Sequence, residues 1–253
     1  MKLYDFDAWA RSVFDFEGTS RIDSSLNGIQ TGNENVEITK IAFAVDACED
    51  SFVRAKDEGA QLLFVHHGLF WGRVLPLTGV LGSRMRFLMN NNLSLYACHL
   101  PLDLHSTLGN NAVMAKKAGL ENVEPFGDYK GVKIGYKGVL SEQAGTEEII
   151  KRIFGYRDSR INVLGFGREE NISVGIISGS AAYDVSQAIN EKLDLYITGE
   201  VSHAVYHECR EAGINVIFAG HYLSETFGVQ AVSEKVQDDL GIDTVFLDIP
   251  TGY

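Results

Sequence analysis

Two adjacent histidines end an apolar segment of this sequence. His66 and His67 follow Leu62-Leu63-Phe64-Val65 directly, and Gly68 then allows a tight turn. Ligand-binding residues in open α/β sheets commonly lie just beyond the carboxyl ends of strands. Successive side chains of a strand point in opposite directions, so each imidazole could serve a different metal ion. A His-His pair also occurs simply as polar residues that end a strand, and the pair alone does not decide between the two.

Two further apolar segments end in a histidine that is followed four residues later by an acid. These pairs are His99 with Asp103 and His221 with Glu225. Imidazole and carboxylate without thiolate suit Zn²⁺, Mn²⁺, Fe²⁺, Co²⁺ or Ni²⁺ and discriminate poorly among them. Five candidate ligands are too many for one ion, so we predict two divalent ions that share a bridging carboxylate. This arrangement generates hydroxide near neutral pH in hydrolytic centres. The candidate ligands are His66, His67, Asp103, His221 and Glu225.

A rival cluster contains His203 and His207, four residues apart on one predicted helical face, with Glu208 next. In the zinc-protease motif the acid lies between the histidines, so ordinary surface histidines are the favoured interpretation. The alternatives are His203 as a substrate-facing or ligand-orienting group and the cluster as a primary metal site. Glu200 occupies the position that His67 has in the first half. It could reach the same cavity, or it could be a solvated acid at a helix N-terminus.

Two smaller features have structural interpretations. Ser178-Gly179-Ser180 could offer N–H groups to an anion, but we interpret it as the N-cap of the next helix. Cys98 lies beside His99 without an acid to make it a nucleophile, so we interpret it as a packing residue. The three cysteines, Cys48, Cys98 and Cys209, are widely separated and odd in number, which predicts neither a disulfide framework nor a thiolate zinc site.

Short apolar and β-branched segments recur along the chain and predict strands of a buried sheet. Stretches with a 3.6-residue apolar spacing lie between several of them and predict helices, the last ending at Gly241 as a C-cap. This alternation predicts an α/β fold with mixed sheets flanked by helices. The predicted strands are Ile41–Val45, Leu62–Val65, Leu93–Ala97, Ile161–Phe166, Val174–Ile177, Leu193–Ile197, Ile214–Ala219 and Thr244–Leu247, and the predicted helices are Ser51–Glu58, Tyr183–Lys192 and Thr226–Leu240.

The two halves of the chain share a pattern. Sliding Ile41–His67 by 133 positions (174 − 41) lays it on Val174–Glu200 without a gap. An offset of 122 (221 − 99) superposes His99 on His221, together with the acid that follows each of them by four residues. Such duplication predicts two similar α/β halves that are related by a pseudo-two-fold axis.

The stretch Glu121–Gly145 is rich in glycine and charge, and we interpret it as the boundary between the halves. Residues 1–125 then form the first α/β half and contain His66, His67 and Asp103. Residues 126–253 form the second and contain His221 and Glu225. We expect the metal site at the junction of the two.

The formal net charge is −12, the sequence pI is about 5.0, and the chain has no run of lysine or arginine. A nucleic-acid-binding protein therefore fits poorly. The segment Met1–Asp7 carries acids where a signal peptide needs apolar residues, and no segment approaches roughly eighteen uninterrupted apolar residues. We therefore expect a cytoplasmic protein without a membrane segment.

These residues resemble the NIF-three-like family of dinuclear metal-centre proteins, which are homologues of GTP cyclohydrolase 1 type 2. The resemblance runs nearly from end to end, and its motifs are specific in combination. They are Leu26-Asn27-Gly28-Ile29-Gln30, His66-His67 with Phe70-Trp71, His99-Leu100-Pro101-Leu102-Asp103 with Leu108-Gly109-Asn110-Asn111, Ile197-Thr198-Gly199-Glu200-Val201-Ser202-His203, and Gly220-His221-Tyr222 with Glu225.

The resemblance implies that His66 and His221 hold one metal ion, that His67 and Asp103 hold the other, and that Glu225 bridges them. It also implies a ring-shaped homohexamer, a trimer of dimers, whose metal sites face a central cavity. Many members of the family have proline at the position of Gly68, so this turn is expected to be looser here.

The leading hypothesis is a hydrolase in which a metal-bound hydroxide attacks an electrophilic carbon, with C8 of GTP as the target that the resemblance implies. Glu200 or His99 is the candidate group for proton transfer. The alternative is a non-enzymatic, metal-stabilised hexameric ring that acts as an interaction or regulatory module, because metal affinity can supply folding energy without catalysis.

Overall fold

Every strand and helix predicted from apolar spacing is present in the computed structural model, which describes residues 1–156 and 158–253. The chain divides into two units, Met1–His105 with Val229–Ile249 and Ser106–Gly228 with Pro250–Tyr253. Each unit contains one mixed sheet flanked by helices. The stretch 229–249, which the predicted boundary assigned to the second half, thus belongs to the first unit.

The first unit contains a five-stranded sheet with the strand order β1-β4-β3-β2-β11. Strand β1 is antiparallel to β4, and the other pairings are parallel. Its strands are β1 (Gly28–Thr31), β2 (Lys40–Asp46), β3 (Leu62–His67), β4 (Ser94–Ala97) and β11 (Asp243–Phe246). Its helices are α1 (Leu3–Val13), α2 (Phe16–Thr19), α3 (Glu49–Asp57), α4 (Gly79–Asn90), α5 (Leu100–Asp103) and, from Val229 onward, α11 (Thr226–Leu240).

Both faces of this sheet are covered, because its central strands are apolar at nearly every position. Phe52 and Leu88 of helices α3 and α4 pack on one face. On the other face, the ring of Phe6 in α1 lies 5.2 Å from that of Tyr96 and 6.4 Å from that of Phe64. Continuous apolar strands of this kind are typical of parallel sheets that are buried on both sides.

The second unit contains a six-stranded sheet with the strand order β5-β6-β8-β9-β10-β7. Strands β8, β9 and β10 are parallel, and the outer strands pair antiparallel. The strands are β5 (Leu120–Tyr129), β6 (Val132–Ala144), β7 (Asn162–Gly165), β8 (Asn171–Ile176), β9 (Leu195–Thr198) and β10 (Asn215–Phe218). The helices are α6 (Asn110–Ala118), α7 (Thr146–Phe154), α8 (Val185–Asn190), α9 (Tyr206–Ala212) and α10 (His221–Ser224), with 3-10 turns at Ala182–Asp184 and His203–Val205.

The stretch Glu121–Gly145, interpreted from the sequence as a boundary, instead forms most of the hairpin of β5 and β6. Its glycine and charge have local causes. Lys130 and Gly131 both have positive φ, 53° and 87°, at the turn, and the N–H of Gly131 donates to Asp128 Oδ1. The charged residues of β5 face solvent, so this strand lacks the buried alternation that would have revealed it.

The strand order repeats between the units, in agreement with the sequence offsets. In the first unit, β2, β3 and β4 are parallel neighbours, and the preceding strand β1 pairs antiparallel with β4. In the second unit, β8, β9 and β10 are parallel neighbours, and the preceding strand β7 pairs antiparallel with β10. The two units are therefore two versions of one strand arrangement.

A bilayer crossing requires a helix that is both long and apolar. Among residues 1–156 and 158–253, no helix has both properties to the degree required.

Asp194 joins the start of β9 to β8 and gives a test of the fold. Its Oδ2 accepts hydrogen bonds of 3.0 Å from the N–H groups of Ile172 and Ser173 and from the Ser173 hydroxyl. Burial raises the pKa of Asp194, but the bonds from Ser173 and Ile172 lower it more, so the net shift is downward. The stabilisation is therefore present above the ordinary Asp pKa and disappears as the pH falls through the lowered one.

We expect Asp194→Ala to reduce the free energy of unfolding by about 1–3 kcal/mol at pH 7, because three donors lose a charged acceptor. Urea denaturation measures the free energy of unfolding of the variant and the wild type. The difference between the two values should become smaller as the pH falls below the ordinary Asp pKa. Asp238→Ala removes an exposed acid from α11 and should be nearly neutral. Equal effects of the two substitutions would contradict the assigned role of Asp194.

Candidate metal centre

Three neighbouring parallel strands of the first unit bring polar side chains to one edge of the sheet. Asp46 is the last residue of β2, His66 and His67 end β3, and His99 follows β4. One ring nitrogen of each of the three histidines lies within 4.8 Å of the others, which is close enough for the group to hold a metal ion. The structure thus places His99 with His66 and His67.

Each of these histidines has its Nδ1 atom against an oxygen. His66 Nδ1 lies 3.0 Å from the Cys98 carbonyl oxygen, His67 Nδ1 lies 2.9 Å from Asp46 Oδ1, and His99 Nδ1 lies 2.9 Å from Asp23 Oδ1. A carbonyl or carboxylate oxygen requires a donor, so the neutral ring carries its proton on Nδ1 and leaves the lone pair on Nε2. This is how ligating histidines are oriented in metal sites.

Asp23 and Asn27 fix His99, although no feature of the sequence distinguished Asp23 from other acids. The Asp23 side chain is 1% exposed and also accepts bonds from the N–H groups of Ser25 and Leu100. Burial raises the pKa of Asp23, but the bond and charge of His99 and the other donors lower it overall. Asn27 donates to Asp23, and its Oδ1 accepts from the N–H of His99 at 2.7 Å.

Asp103 is carried back toward the histidines by the single turn of α5. Pro101 lies in the first turn of this helix, where its missing N–H costs no hydrogen bond. Asp103 is 7% exposed, and its Oδ2 lies 3.5 Å from His66 Nε2. A buried carboxylate beside an imidazole nitrogen is a suitable ligand for a divalent first-row metal ion.

Gln30 holds the turn that follows His67. Its Oε1 accepts from the N–H of Leu69 at 2.6 Å, and its Nε2 donates to the Leu26 carbonyl at 2.8 Å. A Cβ atom at Gly68 would lie 2.2 Å from Gln30 Nε2. Glycine in this position therefore does not leave the turn loose, because it makes room for the glutamine that braces it.

The second unit repeats the arrangement at the ends of β9 and β10. His221 follows β10 and Glu200 follows β9. His221 Nδ1 lies 2.7 Å from Glu200 Oε1, and its Nε2 lies 3.0 Å from Glu225 Oε2. Glu225 is 4% exposed, so it is a second buried carboxylate beside an imidazole nitrogen.

The acids and the imidazole of this group shift one another's pKa values. Burial lowers the pKa of His221, but Glu225 and Glu200 outweigh it and bring the pKa to about 9. The hydrogen bonds from Ser180 and His221 lower the pKa of Glu200. Ser180 thus contacts the site and is not the helix cap predicted from the sequence, since neither the 3-10 turn at Ala182–Asp184 nor α8 has a side-chain cap.

Gly179 brings the backbone against the carboxylate of Glu225. Its φ is +66°, and a Cβ atom would lie 2.4 Å from Glu225 Oε1 and 3.5 Å from His221 Nε2. The N–H of Gly179 donates to the hydroxyl of Ser224, and its carbonyl accepts from the N–H of Glu200 at 2.9 Å. Only glycine combines this backbone conformation with this proximity.

The rival histidines lie elsewhere. His203 and His207 are exposed in the 3-10 turn and α9, and neither belongs to a group of possible ligands among the described residues. The structure therefore brings His66, His67, His99 and Asp103 together in the first unit. In the second it brings together His221, Glu225 and Glu200. The ligand roles of these residues stay predictions.

The donors of both units suit a divalent first-row metal ion. They are imidazole nitrogens in a fixed tautomer and buried carboxylates, and they include no thiolate, since Cys98 is buried and its pKa is raised well above the ordinary value by burial and by Asp103 and Asp23. Such sets bind zinc, manganese, iron, cobalt and nickel with little discrimination.

Known proteins resemble this chain over its whole length. The sequence profile of the Duf34/NIF3 (NGG1p interacting factor 3) family matches residues 1–252. A protein of Treponema pallidum (strain Nichols) named GTP cyclohydrolase 1 type 2 homolog is 40% identical over 285 residues and covers 100% of both chains. A protein of the same name from Archaeoglobus fulgidus is 47% identical over 243 residues and covers 95% of this chain and 96% of its own. The crystal structure of TTHA1606 from Thermus thermophilus has a TM-score of 0.89 and 34% identity, with 100% of both chains covered.

Gly179→Ala tests whether the second group holds metal. The added Cβ must displace Glu225, so we expect zinc affinity, measured by calorimetric titration, to fall at least about tenfold. Gly59→Ala is the matched control, because Gly59 has a similar φ of +72° and nothing within 4 Å of the added atom. It should cost roughly 1–2 kcal/mol of stability, because alanine is strained at this φ, and leave zinc binding intact. Unchanged zinc binding by Gly179→Ala would exclude Glu225 as a ligand.

Proposed function

The chain belongs to the Duf34/NIF3 (NGG1p interacting factor 3) family, as its motifs predicted, and on that basis we propose that it is a metal-dependent hydrolase with two divalent ions. The proposed ligands are His66, His67, Asp103, His221 and Glu225.

The observation that carries the proposal is the shared orientation of four imidazoles. In His66, His67, His99 and His221, Nδ1 lies 3.0 Å or less from a carbonyl or carboxylate oxygen. In histidines that only fill space or end strands, nothing selects the same nitrogen in every ring. In metal sites the same nitrogen is selected, because its hydrogen bond to an oxygen fixes the tautomer and raises the basicity of the ligating nitrogen.

Two divalent ions, when bound, would supply Lewis acidity that polarises the substrate and water at neutral pH. The buried carboxylates of Asp103 and Glu225 would balance their charge. Asp46 and Glu200 would orient His67 and His221 through their Nδ1 atoms. Glu200 is engaged by Ser180 and His221, so we assign it to positioning.

His99 is the better candidate for proton transfer. Asp23 and Asn27 hold its ring and backbone, and the ring centroid lies 5.0 Å from that of His66 and 5.6 Å from that of His67. Its Nε2 would take a proton from water and return it to the leaving nitrogen.

The substrate class comes from the relatives, which are named homologs of GTP cyclohydrolase 1 type 2. We propose a purine nucleotide such as GTP. One water would add across the C8–N7 double bond, which places a hydroxyl on C8 and one proton on N7. One bond from C8 to a ring nitrogen would then break as the hydroxyl becomes a carbonyl, and the hydroxyl proton would go to the departing nitrogen.

We further propose that copies of the chain associate, as a hexamer. Strand β5 is an edge of its sheet and exposes Val123 by 44% and Tyr129 by 38%. An edge strand offers unpaired backbone groups to another chain. This surface supports association, and the number of copies is taken from the family resemblance.

The enzymatic proposal predicts metal-dependent consumption of GTP. We expect chelator-treated protein to be inactive, reloading with zinc or manganese to restore turnover, and His67→Ala to lower turnover at least about a hundredfold, because a ligand is lost. His207→Ala removes an exposed histidine from α9 and should behave like the wild type. Chromatographic separation of the nucleotides measures the reaction. A metal-loaded protein that shows no turnover but loses thermal stability on chelation would favour a metal-stabilised module instead.

The assembly proposal predicts a mass of about 167 kDa, six times 27.9 kDa, in light scattering after size-exclusion chromatography. Val123→Lys places a charge on the β5 edge and should reduce the mass. Val53→Lys alters a residue of α3 that is 37% exposed and should not. A wild-type mass of 27.9 kDa would refute association.

A further inference from the structure

We propose that Trp71 and Arg73 recognise the substrate, with the indole stacking on a heteroaromatic base and the guanidinium binding a phosphate. The inference rests on the proposed function for the reaction, but it can be tested by binding alone. It assigns the substrate class, an anionic nucleotide, to two residues outside the candidate ligands.

Trp71 is a rigid aromatic surface. Its Nε1 donates to the Gly68 carbonyl at 3.0 Å, and its backbone pairs with Ser25 in an antiparallel bridge. The preceding Phe70 carbonyl accepts from the N–H of Leu26 at 2.9 Å. The polar edge of the indole is thus satisfied within the protein, yet 37% of the residue is exposed. A fixed and exposed aromatic ring loses little entropy when a planar ligand stacks on it.

The indole lies directly beside the candidate metal group. Its ring centroid is 5.0 Å from that of His99, at an interplanar angle of 78°, and 5.9 Å from that of His67. A base stacked on Trp71 would therefore lie near these imidazoles. This proximity suits a reaction on the base itself rather than on a remote part of the nucleotide.

The chain segment that contains Trp71 carries cationic side chains and no acids. The stretch Gly59–Leu102 contains no aspartate or glutamate and three arginines, although the whole chain has a net charge of −12. Arg73 and Arg86 are exposed. The carboxylates that face the histidines lie outside this stretch, and each lies against an imidazole nitrogen, within 2.9 Å for Asp23 and Asp46 and 3.5 Å for Asp103. Exposed arginines attract anionic ligands.

Arg73 is the arginine nearest to Trp71 in the chain, two residues away, and its exposed side chain can meet a phosphate directly. Guanidinium groups bind phosphate oxygens in pairs, which suits a nucleotide better than a neutral nucleoside. The same loop also exposes Val74, Leu75 and Leu77. A second copy of this chain is therefore the competing occupant, and the experiment must separate the two.

The experiment uses tryptophan fluorescence, because the chain contains two tryptophans. Trp9→Phe removes the other one, which is hydrogen-bonded to Asp239 at an exposed site, and leaves Trp71 as the single reporter. The full-length variant is titrated with GTP, guanosine and inorganic triphosphate in separate arms. We expect GTP to quench the emission, guanosine to quench it with weaker affinity, and triphosphate to compete with GTP without quenching.

Substitutions in the wild-type background complete the test, with GTP binding measured by equilibrium dialysis. Trp71→Ala should weaken GTP binding about tenfold, and Trp71→Phe should restore most of it, because stacking needs only an aromatic face. Arg73→Ala should weaken binding of GTP several-fold more than that of guanosine, and increasingly so at low salt. Arg210→Ala, an exposed arginine of α9, is the control and should change nothing.

Each outcome bears on the inference. GTP that binds in dialysis without quenching Trp71, or no nucleotide binding at all, overturns it. Emission that changes with protein concentration and not with nucleotide also overturns it and identifies the loop as a contact between copies. Quenching without turnover supports Trp71 and Arg73 as recognition residues and contradicts the proposed hydrolysis. Turnover without quenching supports the proposed hydrolysis and contradicts the role of Trp71.

Discussion

Each candidate group depends on one constraint, the parallel pairing of neighbouring strands. Parallel strands end at the same edge of a sheet, so residues that are far apart in the chain meet there. In the first unit, β2, β3 and β4 deliver Asp46, His67 and His99 in this way. In the second, β9 and β10 deliver Glu200 and His221. The apolar residues of these strands therefore determine where the polar chemistry lies.

The oxygen that faces each Nδ1 atom decides what the histidines can do. Asp46, Asp23 and the Cys98 carbonyl come from different elements, and each leaves Nε2 as the acceptor nitrogen of its neutral ring, whereas His221 has a carboxylate at both ring nitrogens. A carboxylate at this position makes the imidazole a stronger ligand or base. Glycine contributes at two places, since Gly68 admits Gln30 and Gly179 admits Glu225. The sites are thus built as much from these supporting residues as from the candidate ligands.

Charge is divided in a way that fits a metal site and an anionic ligand. The chain is acidic overall, but the carboxylates nearest the histidines lie against imidazole nitrogens. The stretch Gly59–Leu102 beside them carries arginine and no acid. A divalent ion would offset the buried carboxylates, and the exposed arginines would be available to a phosphate. This distribution of charge supports the proposals of a metal ion and of an anionic ligand.

Much of this was determined by the sequence alone, because the signals are local. Apolar runs bounded by glycine predicted the strands, and a histidine just after three of these runs predicted candidate ligands and their repetition in the two halves. Strand β5 was missed because its charged side chains face solvent and only Phe126 and Gly127 are buried, so the strand has no alternating pattern. Only the tertiary structure identified Asp23 as the partner of His99, 76 residues away, and Asp46 as the partner of His67, 21 residues away. It also showed that Gly179 and Ser180 serve the site and not a helix cap. Ordinary acids and glycines carry no signal of such roles, since a hydrogen bond or a close backbone approach exists only after distant segments have been packed together.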